Sequence, residues 1–372
     1  MEEVQTMAWI YPGAPCNAQT EYADGRHINV LKPQYYTLQD DGTLVQDTSE
    51  KAGCNGYSPT DVASVKQHSD QQFVTISGPT SGEITGIFSL ATNPALTNAF
   101  TNTLLSFLNE SGFTGVELDF EQFAKWSPQQ YIQYKAFIAT LGSTLHTHGY
   151  QLMLDTPAIS NTTEQGYYPF KYEDFNQPPL SQVVTAMNVM AYDQQDDNGA
   201  GTAVQPLAWL KNICVWMKTR ITDTNRVVIG IPSYGYHGKT ATYGHMTIDT
   251  YSQSKMYPGF STAQRDPLSG EMIWSTGGTS YVYSDSATLD GKLKVVQDAG
   301  LSRISVWHLG GNLWFGSQSA AASPSPVPQP VTIQPQPAAS TPQTAARPLS
   351  SILGDLSTVL TEWAQQLKAN GQ

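Results

Sequence analysis

Residues 113–121 read Phe113-Thr114-Gly115-Val116-Glu117-Leu118-Asp119-Phe120-Glu121. Side chains alternate across a strand, so Glu117, Asp119 and Glu121 share one face, and Val116, Leu118 and Phe120 take the other. The apolar face suits a strand packed under helices. Three carboxylates together cost free energy through repulsion and desolvation, and stability alone would not select them. Like charges at this spacing cannot all ionise, so at least one proton is retained near neutral pH, as proton transfer requires. Two other readings share the spacing. One is an edge strand with a solvated polar face. The other is a metal site, where three carboxylates without a nearby His favour Mg²⁺ or Ca²⁺ over zinc. Gly115 and the apolar alternate face favour a buried barrel strand.

Outward from this stretch, β-rich apolar runs alternate with helical patterns. Strands are expected over Thr6–Tyr11, Ile28–Tyr36, Gln72–Ser77, Phe113–Glu121, Gln151–Thr156, Val183–Met190, Arg226–Ile231 and Arg303–Trp307. Helices are expected over Asn93–Glu110, Pro128–His148, Gln205–Arg220 and Ala287–Ala299. This alternation predicts an α/β fold, a (β/α)8 TIM barrel over residues 1–317. An open doubly wound sheet shares the pattern, but no G-x-G-x-x-G opens a helix here. Glu121, at the C-terminal end of its strand, faces the side where barrel active sites lie. The Gly-, Ser-, Thr- and Tyr-rich stretch of residues 236–286 reads as a small insertion after the seventh strand. Residues 318–347, rich in Pro, Ala, Ser and Gln, read as a disordered linker. Within residues 348–372, Leu349, Leu353, Leu356, Leu360, Trp363 and Leu367 form the stripe of an amphipathic helix. That helix is expected to dock on a protein partner, on a second copy or on its own barrel.

Composition narrows the partners. The 31 acidic and 19 basic residues give a formal net charge of −12. Nucleic acid and anionic membranes are bound through Lys/Arg clusters, so this surface repels both. It does not repel a neutral polysaccharide. No segment is apolar enough over the ~18 residues needed to span a bilayer. The 19 Tyr and 8 Trp offer flat faces for sugars, although most are expected in cores. Three cysteines, Cys16, Cys54 and Cys214, without C-x-x-C spacing, argue against a disulfide scaffold or a zinc site. Cys16 and Cys54 lie after the first two candidate strands and could be neighbours, but all three are expected as free thiols, and no metal or cofactor is expected. No signal peptide is visible at the start, MEEVQT. The cellular compartment stays open, an extracellular site of action included.

At Phe113–Glu121 the chain resembles glycoside hydrolase family 18, whose strand runs apolar-Asp-Gly-x-Asp-x-Asp-x-Glu. Further segments follow in the family's order. Met190-Ala191-Tyr192-Asp193 looks like its Met-x-Tyr-Asp, and Gly230-Ile231-Pro232-Ser233-Tyr234-Gly235 like its Gly-[Ile/Leu]-Pro-x-Tyr-Gly. Ser305-Val306-Trp307-His308-Leu309-Gly310-Gly311 looks like its closing strand, and Thr75-Ile76-Ser77-Gly78 like a degenerate Ser-x-Gly-Gly. Together these are far more specific than any one alone. Two departures stand out: Thr114 replaces the usual Asp, and Glu117 replaces the first Asp on the carboxylate face. Glu117 keeps the charge but adds a methylene, so its contact with Asp119 must differ, with lowered activity or a moved pH optimum expected.

The resemblance implies retaining hydrolysis of β-1,4-linked N-acetylglucosamine glycans by substrate assistance, an exception to the two-carboxylate scheme. Glu121 would be the acid and base, Asp119 would accept the acetamido N–H, and Tyr192 would donate to the acetamido oxygen, with Glu117 as a further catalytic residue on the same strand face. Asp193, Met190, Tyr234 and Trp307 would bind the sugar, Trp307 as its floor. Chitin or chito-oligosaccharides are favoured, with peptidoglycan or N-glycans as further substrates. The other class of function is a catalytically inactive, sugar-binding relative. Such relatives usually lose the acid, and Glu121, Asp119 and Tyr192 are all present here.

Overall fold

The computed structural model describes residues 4–20, 28–79, 82–240, 243–244 and 246–316. The linker and C-terminal helix read at 318–372 lie outside the described residues. In chain order the barrel strands are β1 (Gln5–Ile10), β2 (Val30–Leu38) with its short hairpin partner β3 (Leu44–Gln46), β4 (Gln71–Ser77), β5 (Gly115–Asp119), β6 (Gln151–Pro157), β7 (Ala186–Met190) and β8 (Val227–Pro232). The barrel closes with β14 (Arg303–Trp307), which pairs in parallel with both β8 and β1, while β1 also pairs with β2. Eight parallel strands with helices between them thus form the (β/α)8 barrel expected from the sequence.

The helices begin and end where the chemistry of the chain permits. Asn93 accepts hydrogen bonds from the Ala95 and Leu96 amides at the start of the helix Pro94–Ser111, and Gly112 ends it with φ of 67°. Ser127 and Gln130 form a reciprocal capping box on Pro128–Thr147, satisfying two otherwise orphaned amides. Between β8 and β14 the chain builds an antiparallel sheet of β9 (Gly235–Lys239), β10 (Thr247–Asp249), β11 (Gln264–Arg265), β12 (Met272–Thr276) and β13 (Thr279–Tyr283). Glu271, fully buried, ties this sheet to the barrel. It accepts from the Val204 and Gln205 amides and pairs with Lys292 at 2.6 Å, while Gln205 donates to the Gly230 carbonyl.

The inside of the barrel is layered. Met7, Val30, Phe73, Met153, Ala186 and Val228 form a dry apolar cluster at one level. Two residues further along each strand, on the same face, stand Trp9, Lys32, Thr75, Asp155, Asn188 and Gly230. Glu117, in register with Thr75 on β4 and with Met153 on β6, bridges the two levels. A further two residues along β5 comes Asp119, at the C-terminal mouth.

Two expectations are corrected. The strand β5 ends at Asp119, so Glu121 stands two residues past its end, not at its fifth alternating position. Cys16 and Cys54 are disulfide-bonded, with Cα atoms 5.4 Å apart, and not free; only Cys214 is a free thiol, and it is buried. The loop after β1 folds onto the segment after β3: the Gly13 amide donates to the Cys54 carbonyl, and Asn55 Nδ2 donates to the Gly13 and Pro15 carbonyls. These bonds bring together two cysteines that lie far apart in the chain.

Candidate active site

The site stands on a polar layer in the middle of the barrel. Glu117 is fully buried and accepts three hydrogen bonds from three other strands. Its Oε1 accepts from Lys32 Nζ on β2 at 2.5 Å; its Oε2 accepts from Trp9 Nε1 on β1 at 2.6 Å and from Thr75 Oγ1 on β4 at 2.8 Å. Lys32 is equally buried, and its Nζ lies 3.5 Å from the centroid of the Trp9 ring. An unpaired charge in such a place would be prohibitive, and this pair is supported by the further hydrogen bonds to Glu117 and by the Trp9 ring against Lys32.

One turn of the pleat higher, Asp119 and Glu121 face the cleft, both half-buried. The two carboxyl groups lie within hydrogen-bonding reach of each other, a contact that favours one proton shared between them. Burial, then the charge of Asp193, pushes Glu121 up to about 7, against the opposing pull of the hydrogen bond to Asp119. Burial and the neighbouring Glu121 and Glu117 charges also push Asp119 well up, with Lys32 opposing. Gly78, on the neighbouring strand's end, permits this packing: a Cβ there would lie 3.1 Å from the Asp119 carbonyl oxygen.

Aromatic rings frame the acids. Tyr192 and Trp307 are stacked, with centroids 6.4 Å apart, and Tyr234 meets Trp307 edge-on at 4.9 Å. Gly230 clears the space for Tyr192, since a Cβ there would meet the Tyr192 ring at 2.7 Å. Burial, then the charges of Asp155, Asp119, Asp193 and Glu121, drives the Tyr192 hydroxyl far above its ordinary range, so it remains a donor at any working pH. Asp193 sits in a left-handed backbone conformation with φ of 65° and accepts from the Tyr234 hydroxyl and from Gln195 Nε2. The Ser233 amide and hydroxyl donate to the Trp307 and His308 carbonyls, fixing the Trp307 strand end. Met190, half-buried at the end of β7, packs on the main core.

Of the eight residues singled out from the sequence, Glu121, Asp119, Tyr192, Asp193, Tyr234 and Trp307 form one constellation, and Met190 adjoins it. Glu117 lies a layer beneath, its oxygens taken by Lys32, Trp9 and Thr75. Several residues escaped the sequence reading. Trp9, Tyr11, Gln34 and Thr75 line the cleft with Asp119 and Trp307. Lys32 and Asp155 lie beneath it. A signal for these two existed: each is the lone charge of its strand, at the parity of its inward neighbours Val30 and Met153. Among the described residues, no group of three His, Cys, Asp or Glu is placed to hold a metal ion, and no helix is long and apolar enough to cross a membrane.

Comparison with known proteins gives a consistent picture. The sequence profile of the family described as glycosyl hydrolases family 18 matches residues 17–312. The chain is 23% identical over 232 residues to the uncharacterized glycosylase YvbX of Bacillus subtilis, covering 59% of this chain and 63% of that one. It is 21% identical over 229 residues to the cortical fragment-lytic enzyme of the same organism, covering 56% and 49%. The chain therefore spans 49% to 63% of the length of these relatives. Among solved structures, the spore cortex-lytic enzyme SleL of Bacillus cereus aligns with a TM-score of 0.68 at 17% identity, over 84% of this chain and 72% of that one. A chitinase from Chromobacterium violaceum aligns with a TM-score of 0.67 at 18% identity, over 83% and 95%.

Proposed function

This chain belongs to glycosyl hydrolases family 18 and is a glycoside hydrolase, and from that premise we propose that it cleaves β-1,4-linked N-acetylglucosamine glycans with retention. The observation that carries the reading is the pair of carboxyl groups of Asp119 and Glu121 set beside Tyr192 and Trp307. Glu121 gives its proton to the glycosidic oxygen as the bond from C1 to that oxygen breaks. The 2-acetamido oxygen of the same sugar forms the new bond to C1, and the leaving chain departs as an alcohol. Holding nucleophile and electrophile in one molecule removes the entropy of bringing them together. Asp119 accepts the acetamido N–H and stabilises the positive charge of the oxazolinium. Tyr192 donates to the acetamido oxygen and orients it, Trp307 carries the sugar's apolar face, and Asp193, held by Tyr234, lines the same subsite. Glu121 then takes a proton from the water that attacks C1, and the bond from C1 to the acetamido oxygen breaks, restoring the N-acetyl group and leaving the product with retained configuration.

Chitin or its oligosaccharides are the favoured substrate, since the cleft is acidic and such chains are neutral. Peptidoglycan is the second reading, supported by the resemblance to cortical fragment-lytic enzymes. The test is turnover of a fluorogenic chitobioside, with the variant Glu121→Gln and with fully deacetylated oligomers. The amide is nearly isosteric but carries no transferable proton. It is expected to lower kcat by about 10²–10⁴-fold while oligosaccharide binding survives. Wild-type kcat in that variant would remove Glu121 from the role of acid. Rapid cleavage of glucosamine oligomers would eliminate the acetamido nucleophile and leave a carboxylate nucleophile, such as Asp119, as the better account.

A further inference from the structure

Two oxygens at the heart of the site lack hydrogen-bond partners among the described residues although both are buried: Asp119 Oδ1 and Asp155 Oδ2. They belong to adjacent strands. β5 and β6 run in parallel with Leu118 opposite Leu154, so Asp119 and Asp155 are the next pair along, both on the inner face. Adjacent strands stand about 4.8 Å apart, a gap that two carboxyl side chains on one face span. Asp155 is fully buried, and its other oxygen, Oδ1, is fixed by Asn188 Nδ2 at 2.6 Å. Glu117, the obvious neighbour of Asp119, is already occupied by Lys32, Trp9 and Thr75.

The chemistry of the proposed function creates a need at this point, and the inference rests on that reading. When the proton shared by the Asp119–Glu121 pair moves onto Glu121, Asp119 becomes an anion with one oxygen facing the dry barrel. Lys32 stabilises it only through its field, its hydrogen bond going to Glu117. We propose that Asp155 is the positioning residue for Asp119: its neutral carboxyl donates from Oδ2 to Asp119 Oδ1 and so holds the anion in place. No covalent bond changes; one O–H of Asp155 turns toward Asp119, and the proton stays on Asp155. The groups around Asp155 favour its neutral form. Glu117 and Asp119 on β5 repel a charge there, Tyr134 on the helix Pro128–Thr147 and Tyr192 beyond β7 are neutral, and Lys32 on β2 is the cation in reach. Burial comes first among the causes and, with those two acids, pushes Asp155 well above the usual carboxylate range.

The test compares wild type, Asp155→Asn and Asp155→Leu on a fluorogenic chitobioside, with kcat and KM followed between about pH 4 and pH 10. Leu removes the donor. It is expected to lower kcat by about 10- to 100-fold, the value of a hydrogen bond to a charged group, while KM changes by less than about 3-fold. Asn keeps an acceptor for Asn188 and an N–H for Asp119, so its kcat should stay within about 5-fold of wild type. Its alkaline limb should lose one ionisation, because the amide does not titrate whereas Asp155 loses its donor proton as pH rises. A Leu variant with wild-type kcat and limb would overturn the proposal. So would an Asn variant as impaired as the Leu variant. Should the Leu variant fail to fold, the Asn variant decides alone: an alkaline limb unchanged from wild type sinks the idea. Wild type that turns over no N-acetylglucosamine glycan would defeat the proposed function and this inference together. Active wild type with either contrary variant result defeats only the inference.

Discussion

Replacing Lys32 by Met should destabilise the barrel more than any surface change, and its size follows from the geometry. Lys32 Nζ and Glu117 Oε1 are 2.5 Å apart and neither side chain has solvent exposure. Removing the cation leaves Glu117 buried with Trp9 Nε1 and Thr75 Oγ1 as its remaining donors. Breaking a buried pair from one side typically costs about 3–5 kcal/mol, because the remaining charge keeps its desolvation penalty. Loss of the Nζ contact over the Trp9 ring adds up to about 2 kcal/mol when desolvated. At roughly 2 °C per kcal/mol for a domain of this size, the melting temperature should fall by about 6–14 °C. The double variant Lys32→Met, Glu117→Gln removes both charges and leaves an amide oxygen for Trp9 and Thr75. It should recover at least half of the loss, as paired removal of buried charges usually does. The assay is thermal unfolding followed by circular dichroism at one scan rate for all three proteins. A single variant melting within about 2 °C of wild type would mean that this pair is hydrated, and the inward reading of Lys32 would be wrong. A double variant as unstable as the single one would show that shape, not charge, is what Lys32 supplies.

Further outcomes follow from the acid pair and from the disulfide. Glu121 acts as an acid only while protonated, and its carboxyl is pushed up to about 7. Its kcat on a chitobioside should therefore hold on the acid side of neutrality and decline as pH rises through about 7; a plateau extending to pH 9 would contradict the assignment. Cys54→Ser should lower stability by about 4 kcal/mol on the chain-entropy account, because it opens a closure between residues 38 apart. Calorimetry of the variant, and of wild type with and without reductant, checks this; equal melting temperatures would show that the bridge constrains little.

Much of the architecture was legible because strand periodicity and glycine punctuation are local signals. The run from Phe113 to Glu121 displayed its two faces without any knowledge of its neighbours. The mouth constellation was legible too, since Tyr192, Tyr234 and Trp307 lie on recognisable segments at strand ends. What escaped depends on closure of the barrel. Nothing local joins Lys32 to Glu117, 85 residues apart, or Trp9 to Glu117, 108 residues apart. The bridge between Cys16 and Cys54 escaped for the same reason: it is set by hydrogen bonds of Asn55 across two loops. The true end of β5 also escaped, because the alternation of Phe120 and Glu121 continues the strand pattern after pairing with β6 has stopped at Leu118.

The extra methylene of Glu117 takes a different meaning once Lys32 is in place. Its carboxylate collects donors from β1, β2 and β4 while standing on β5, so it reaches across the barrel. A shorter Asp at the same position would withdraw its oxygens toward β5 and away from Lys32. The longer acid and the buried lysine therefore make an ion pair, and Lys32 offsets part of the charge that Glu117 places near Asp119. The proton shared above is then divided between Asp119 and Glu121, with Asp155 as the free neighbour. The departure at Glu117 thus moves the supporting role for Asp119 from the preceding inward residue of its own strand to the adjacent strand, without removing any group from the cleft.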